Sequence, residues 1–251
     1  MRAQFVQTKN VMKFLAGLSK LQERGAEEAC LMVVKGEPGL GKTEILEWWT
    51  TQNNAVYLRA KREWTPGWML RELLTAMGVK DYGRFFEPNF RSALTHLQTM
   101  DMDAQNRGQT FGVVVDEADH VASDSDLLET LRDFSDITEI PFILVGMDRI
   151  KDKLQKFPQV ASRVAQYVEF QKADVDDVKN LAKGLVEVEI AEDLLEFVQK
   201  QTQGYTREIM EAFMSIERFG KKNEGVVTLA SMDGEVLINN RTTGQEIKVR
   251  A

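Results

Sequence analysis

Apolar and polar positions alternate in two rhythms over the first 170 residues of the chain. Val11, Phe14, Leu15, Leu18 and Leu21 fall at helical spacing, as do the apolar positions of 68–77, 90–105 and 127–134. Between them lie short apolar runs rich in β-branched and aromatic residues: Leu31 to Lys35, Ala55 to Leu58, Phe111 to Val115, Pro141 to Val145 and Tyr167 to Phe170. Each is too short for a helix and lacks strict alternation, which predicts strands buried on both faces. Strands that alternate with helices predict an α/β fold with a parallel sheet flanked by helices.

Beyond Lys172 the strand runs stop. Residues 175–185, 192–202 and 207–219 read as three successive helices, so the expected domains are an α/β nucleotide-binding domain over 1–172 and a small helical domain over 173–225. The last stretch, 226–251, has two readings. Thr228 can cap a helix running to about Asn240 ahead of an extended tail, or Asp233-Gly234 and Thr243-Gly244 can be turns between short strands. The helix is the favoured expectation.

Composition narrows the class. The chain has 251 residues, 43% of them hydrophobic, which is enough for one large core and a small appended bundle. No run of about 18 apolar residues could span a bilayer and no cleavable signal is evident, so a soluble cytoplasmic protein is expected. Cys30 is the single cysteine and reads as a small buried hydrophobe; with only His96 and His120 beside it, there is little from which to build a zinc site. Net charge is −7, but it is unevenly spread. Nine acids face one arginine from Asp116 to Glu139, whereas seven Lys/Arg face four acids from Arg59 to Arg91. That second segment can make a basic face on an acidic protein or an ordinary solvated surface.

Two motifs carry chemistry. Gly36-Glu37-Pro38-Gly39-Leu40-Gly41-Lys42-Thr43 matches GxxxxGK[ST] after a buried strand, with Glu44 in the helix it opens. Glycines let the backbone fold around phosphates with its N–H groups inward; Lys42 then reaches the β- and γ-phosphates and Thr43 ligates Mg²⁺. About 70 residues downstream, the strand Val113-Val114-Val115 ends in Asp116-Glu117. Asp116 can hold Mg²⁺ through water and Glu117 can polarise an attacking water; otherwise the pair caps a helix beginning near Ala118.

In this order, followed by Ser162-Arg163 before the last strand and by Gly204-Tyr205-Thr206-Arg207 in the helical region, the motifs resemble an AAA+ ATPase core with its lid, over about residues 5 to 220. The resemblance implies ATP and Mg²⁺ as ligands, ATP hydrolysis and a homo-oligomer. Arg163 would be the arginine finger that reaches ATP on the neighbouring subunit, and Arg207 the sensor that contacts nucleotide in its own chain. One departure stands out. The family usually places Asn, Ser or Thr at the strand tip where this chain has Val145-Gly146-Met147-Asp148, and a carboxylate there would repel the γ-phosphate, so the expected hydrolysis is slow and stimulated by DNA or a partner.

Within the AAA+ class, Phe5 to Asn10, the strand end Ile143 to Met147 and the short lid resemble the transposition regulators of the phage Mu B, TnsC and TniB kind. That resemblance implies an ATP-dependent filament or ring on double-stranded DNA, recruitment of a transposase, and no membrane. With the P-loop starting at residue 36, no room is expected for an N-terminal helix-turn-helix domain, so DNA contacts fall to the ATPase core. Lys61 and Arg62, in the loop that faces the central channel of AAA+ rings, with Arg59, Arg84 and Arg91, are the candidates. Such point charges read phosphates without a base code. Trp64 and Trp68 read as core or loop anchors. Two other functions fit the same nucleotide motifs: a replication-type loader, and an ATP-dependent signalling switch that never touches DNA.

Overall fold

A computed structural model describes every residue of the chain except Glu27 and Thr242. Two compact units emerge, one of residues 13–37 and 42–170, the other of 1–12, 38–41 and 171–251.

The larger unit is a five-stranded sheet. Its elements are α1 (Lys9–Gln22), β1 (Leu31–Lys35), α2 (Lys42–Asn53), β2 (Val56–Arg59), α3 (Pro66–Ala76), α4 (Phe86–Asn106), β3 (Val113–Asp116), α5 (Ser125–Thr138), β4 (Phe142–Gly146), α6 (Ile150–Leu154), α7 (Pro158–Ala161) and β5 (Val164–Glu169), with the first turn of α1 belonging to the other unit. All strand pairs are parallel, in the order β2-β3-β4-β1-β5. Each strand foreseen in the sequence is present within a few residues; β1, β3 and β4 are buried along nearly their whole length, as a sheet covered on both faces requires. The short helices α6 and α7 have no periodic signal in the sequence.

Local chemistry sets the helix ends. The side chain of Thr65 accepts from Trp68 N and Pro66 takes the first position of α3; Asp124 caps α5 through Leu127 N at 3.0 Å. The core against the sheet is aromatic, with Phe134 tilted against Phe90 and stacked on Phe142 at ring separations of 4.4 and 6.3 Å. Trp64 is buried there and Trp68 packs against it, so both tryptophans are anchors; Cys30 is buried as well.

The smaller unit holds α8 (Val175–Leu185), α9 (Glu192–Thr202) and α10 (Thr206–Gly220), where helical periodicity placed them. The C-terminal stretch corrects the favoured helix. Thr228 does cap, accepting from Ser231 N at 3.1 Å, but only a single 3₁₀ turn, Ala230–Met232, follows. Gly234 at φ +81° ends it, and the antiparallel strands β6 (Val236–Asn239) and β7 (Glu246–Lys248) take over, turning through Thr243-Gly244 with Gly244 at φ +70°. Alternating β-branched residues and two left-handed glycines outweigh one capping threonine. Within residues 226–251, Val227, Met232, Leu237, Ile238 and Val249 share one buried cluster with the three helices.

Residues 1–12, expected in the α/β domain, belong to this unit too. Lys9 N donates to Asp177 Oδ1 at 2.8 Å, its ammonium pairs with Asp174, and the Asn10 amide exchanges two hydrogen bonds with the Gln171 backbone. A polar opening segment finds its partners around the start of α8, which hydrophobic patterning cannot foresee.

Candidate functional site

Parallel strands bring their carboxyl ends to one rim, where α/β sheets bind ligands. Register places Lys35 beside Gly146 and Arg59 beside Asp116, so the residue preceding the phosphate loop, the tip of β4 and the acidic end of β3 lie along that rim. Gly39 and Gly41 adopt φ +87° and +78°, conformations that favour glycine and let the loop bend back. At its far side, Lys42 Nζ donates to the carbonyls of Gly36 and Glu37 at 2.5 and 2.8 Å, curling the loop around its own cation.

Asp116 is the hub of the larger unit's rim. Only 4% exposed, it accepts from Thr43 Oγ1 and from the Tyr57 hydroxyl, both at Oδ2 and both at 2.7 Å, while Oδ1 accepts from Glu117 N at 2.7 Å. A threonine hydroxyl and a carboxylate in mutual contact beside a lysine are oxygen donors of the kind Mg²⁺ takes, one neutral and one anionic, so the residues fit the ion that accompanies ATP. Tyr57 is the member of this cluster that sequence reading missed. Within the run Ala55 to Leu58 it reads as one more aromatic strand residue, yet burial and its bond to Asp116 push its phenol far above the usual range, leaving it a fixed proton donor.

Glu117 sits beyond the strand at φ +53°, ψ +35°, a left-handed conformation rare for a residue with a side chain. Strain of this kind clusters at functional sites. A 3₁₀ turn, Ala118–His120, follows, but Glu117 makes no side-chain cap on it; its carboxylate instead pairs with Arg59 at the end of β2 and lies 3.5 Å from His120 Nε2. The helix-capping alternative for the Asp-Glu pair therefore has no bond behind it.

The tip of β4 explains its glycine. Asp119 Oδ2 accepts from Met147 N at 2.6 Å, and a Cβ on Gly146 would sit 2.5 Å from that same oxygen. Asp119 thus ties down the strand end where the resemblance led to the expectation of a polar side chain; Asp148 is exposed.

Other candidates lie apart. Arg163 immediately precedes β5, at the amino end of the sheet, where its Nε donates to both Asp136 oxygens at 3.0 and 3.1 Å. Arg207, in the first turn of α10, is exposed, and its backbone N donates to Gly39 O at 3.0 Å. Glu44 is exposed in the first turn of α2. The basic candidates fall into two groups. Arg59, Lys61 and Arg62 precede α3, while Arg84 and Arg91 follow it, and eleven helical residues separate the helix ends by about 16 Å. Lys61 pairs with Glu72 and lies over the Trp68 ring, Arg91 pairs with Glu87, and Arg84 covers Phe85. Among the described residues no group of three or more His, Cys, Asp or Glu side chains is placed to hold a metal, and no helix is long and apolar enough to cross a membrane.

Known proteins resemble this chain in sequence and fold. The chain is 29% identical over 163 residues, 61% of its length, to the ATP-dependent target DNA activator B of Escherichia phage Mu, and spans about half of that relative (48%). Among solved structures, the Aeropyrum pernix ORC2 protein, in ADPNP-ADP complexes, superposes with a TM-score of 0.62 at 15% identity, covering 88% of this chain and 66% of that one. The Aeropyrum pernix ORC1 protein in complex with DNA gives 0.57 at 14% identity, covering 89% and 63%. These likenesses establish a P-loop AAA+ fold. Residues 25–154 match the AAA domain family, and since that match takes in the phosphate loop, the Asp-Glu pair and more than half of the chain, the protein belongs to that family.

Proposed function

We propose that this protein is an ATP-dependent, sequence-nonspecific DNA-binding ATPase that assembles through bound ATP, as a filament or ring on duplex DNA, and assists transposition by presenting target DNA to a transposase. The observation that carries the ATPase part is the cluster on Asp116, where Tyr57 and Thr43, the residue that follows Lys42, converge on one carboxylate oxygen. The transposition part is supported by likeness to the phage Mu target DNA activator.

Each residue has work that follows from its position. Lys42 exchanges its bonds to the Gly36 and Glu37 carbonyls for phosphate oxygens and offsets their charge. Thr43 and Asp116 would hold Mg²⁺, which would supply neutralisation of the phosphate charge. Glu117 orients and deprotonates water, a task that requires it to leave Arg59. Arg207, bonded through its backbone to the phosphate loop at Gly39, is the proposed sensor of nucleotide. Arg163 must exchange Asp136 for the γ-phosphate of a neighbouring subunit, so its cation is available only where an interface forms. Arg59, Lys61 and Arg62 are the proposed phosphate contacts to DNA, with Arg84 and Arg91 as a second group. The loader alternative has only the fold likeness behind it.

The test is co-sedimentation with random-sequence duplex and electron microscopy of wild type and Lys42→Ala, with ATP, ADP or no nucleotide. Assemblies on DNA formed only by wild type with ATP support the reading; closed rings indifferent to DNA, or monomers throughout, refute it.

A further inference from the structure

Both oxygens of the Glu117 carboxylate face a nitrogen group. Oε1 pairs with the Arg59 guanidinium, and Oε2 lies 3.5 Å from Nε2 of His120. The second contact follows from the local fold. The backbone N–H of His120 donates to the Glu117 carbonyl at 3.0 Å as the 3₁₀ turn Ala118–His120 closes, and with three residues per turn the side chains at positions i and i+3 eclipse. The left-handed backbone of Glu117, at φ +53°, leads the chain out of β3 and into that turn, so strain at one residue sets a histidine beside its carboxylate.

The other charges near the turn are engaged elsewhere. Asp116 of β3 keeps its oxygens on Thr43, Tyr57 and the Glu117 N–H. Asp119 accepts from Met147 N and lies 3.7 Å from the ammonium of Lys153 in α6, which donates to the Asp119 carbonyl at 2.9 Å. β4, packed against the turn, has no titratable side chain over Phe142–Gly146, and Arg59 of β2 is on Oε1. Among the described residues Glu117 is the one ion-pair partner of His120. The two groups that hold it differ in kind. Arginine stays protonated, whereas imidazole is the side chain whose charge changes between pH 5 and 8.

We infer that His120 is a positioning residue that makes the release of Glu117 depend on pH: as imidazolium it pairs with Oε2 and keeps the carboxylate at rest, and as neutral imidazole it lets go. The inference rests on the role of Glu117 in the function proposed above. Its sign follows from the charges. Lower pH adds a second ion pair to a carboxylate that has to leave Arg59 to reach water, so hydrolysis is restrained further; higher pH leaves Arg59 alone to hold it.

Phosphate release at saturating Mg²⁺ and ATP, measured from pH 5.5 to 8.5 for wild type and His120→Gln, tests this. The ratio of variant to wild type is the quantity to plot, because the ionisation of the nucleotide cancels in it. It is expected to rise by about two- to fivefold as pH falls across that range, the worth of a half-exposed ion pair. The His120 side chain is 41% exposed, so the variant is expected to fold, which its melting temperature checks. The contact has its own readout. The chain has two histidines, so in His96→Gln the ring signals of His120 stand alone in a proton NMR spectrum. They are expected to move when Glu117→Gln is added, and to move further at pH 5.5 than at pH 8.5. A ratio that stays flat with pH, or a His120→Gln protein slower than wild type throughout, overturns the inference, as do ring signals indifferent to Glu117→Gln. A wild type that releases no phosphate at any pH overturns the proposed function, and the inference falls with it.

Discussion

The Arg59 guanidinium is paired with the carboxylate of Glu117, so the cation at the end of β2 occupies the group proposed to activate water. Both side chains reach solvent, and the pair joins a proposed DNA contact to a proposed catalytic one. A phosphate that draws Arg59 away would release Glu117 to the site. Replacing Arg59 with alanine is therefore expected to raise DNA-independent phosphate release several-fold and to flatten the stimulation by duplex. Steady-state phosphate assays with and without DNA decide it; a variant as slow as wild type without DNA, yet fully stimulated with it, would show that the pair has no restraining role. Glu117→Gln is the matched control, expected to lower hydrolysis by about 10²-fold or more while nucleotide still binds.

Tyr57 and Thr43 donate to the same oxygen of Asp116 at equal distance. When Thr43 turns to a metal ion, Tyr57 is the donor that remains to hold the carboxylate. Tyr57→Phe keeps the ring and removes that donor, and lost partners behind a metal site cost about 10- to 100-fold in metal affinity. The expected result is weaker binding of a fluorescent ATP analogue in the presence of Mg²⁺, with its binding in EDTA unchanged. Equal weakening in both conditions would mean that Tyr57 supports the loop and not the metal site.

How much of this was legible beforehand depends on whether a residue's role is local. The glycines of the phosphate loop, the apolar β3 run ending in Asp116-Glu117 and helices α8 to α10 are written in spacing, and the structure has each where spacing put it. Tyr57 on Asp116, Arg59 on Glu117 and Asp119 under Gly146 join residues from different strands and turns, and only register brings them together. Gly146 could have been a hint, because a glycine at the end of an apolar strand marks a close approach, here by a carboxylate. In the C-terminal stretch a capping threonine, Thr228, and two turn glycines, Gly234 and Gly244, give competing local signals, and the packing of the hairpin's apolar residues against the helices decides for strands.

Glu217 in α10 is 5% exposed, and burial works against its charge. Bonds from the Lys221 ammonium, the Met1 amine and Glu187 N outweigh that penalty and hold its carboxyl down at about 2. A carboxylate with a depressed folded pKa adds stability in full above its unfolded value, and that stability is lost as pH falls from about 4.5 through about 2. Glu217→Gln is expected to lower stability at neutral pH by about 1–3 kcal/mol. Denaturant melts of both proteins should differ at pH 7 and converge as the pH is lowered toward 3; a gap that stays constant would place the effect in packing instead.

Arg163 lies at the amino end of β5, whereas Lys42 follows β1 at the carboxyl rim of the sheet, and Arg163 is held by Asp136. If the arginine acts on a neighbour's nucleotide, each active site takes Lys42 from one subunit and Arg163 from the next. Lys42→Ala and Arg163→Ala should each be nearly inactive alone, with losses of about 10³-fold for the arginine. Mixing them creates interfaces in which an intact Lys42 meets an intact Arg163, so activity should reappear, to a maximum near one quarter of wild type at equal ratio if pairing is random and each interface acts alone. Arg163→Ala also leaves Asp136 with Arg132, 3.9 Å away, as its ion-pair partner among the described residues, so a melting temperature is needed to show that the variant is folded. Nucleotide binding by the isolated Arg163→Ala protein is the second readout, expected to stay near wild type because the arginine belongs to another subunit's site. Mixtures no more active than their components, from two folded proteins that still assemble, would remove Arg163 from the active site and leave its bond to Asp136 as its purpose.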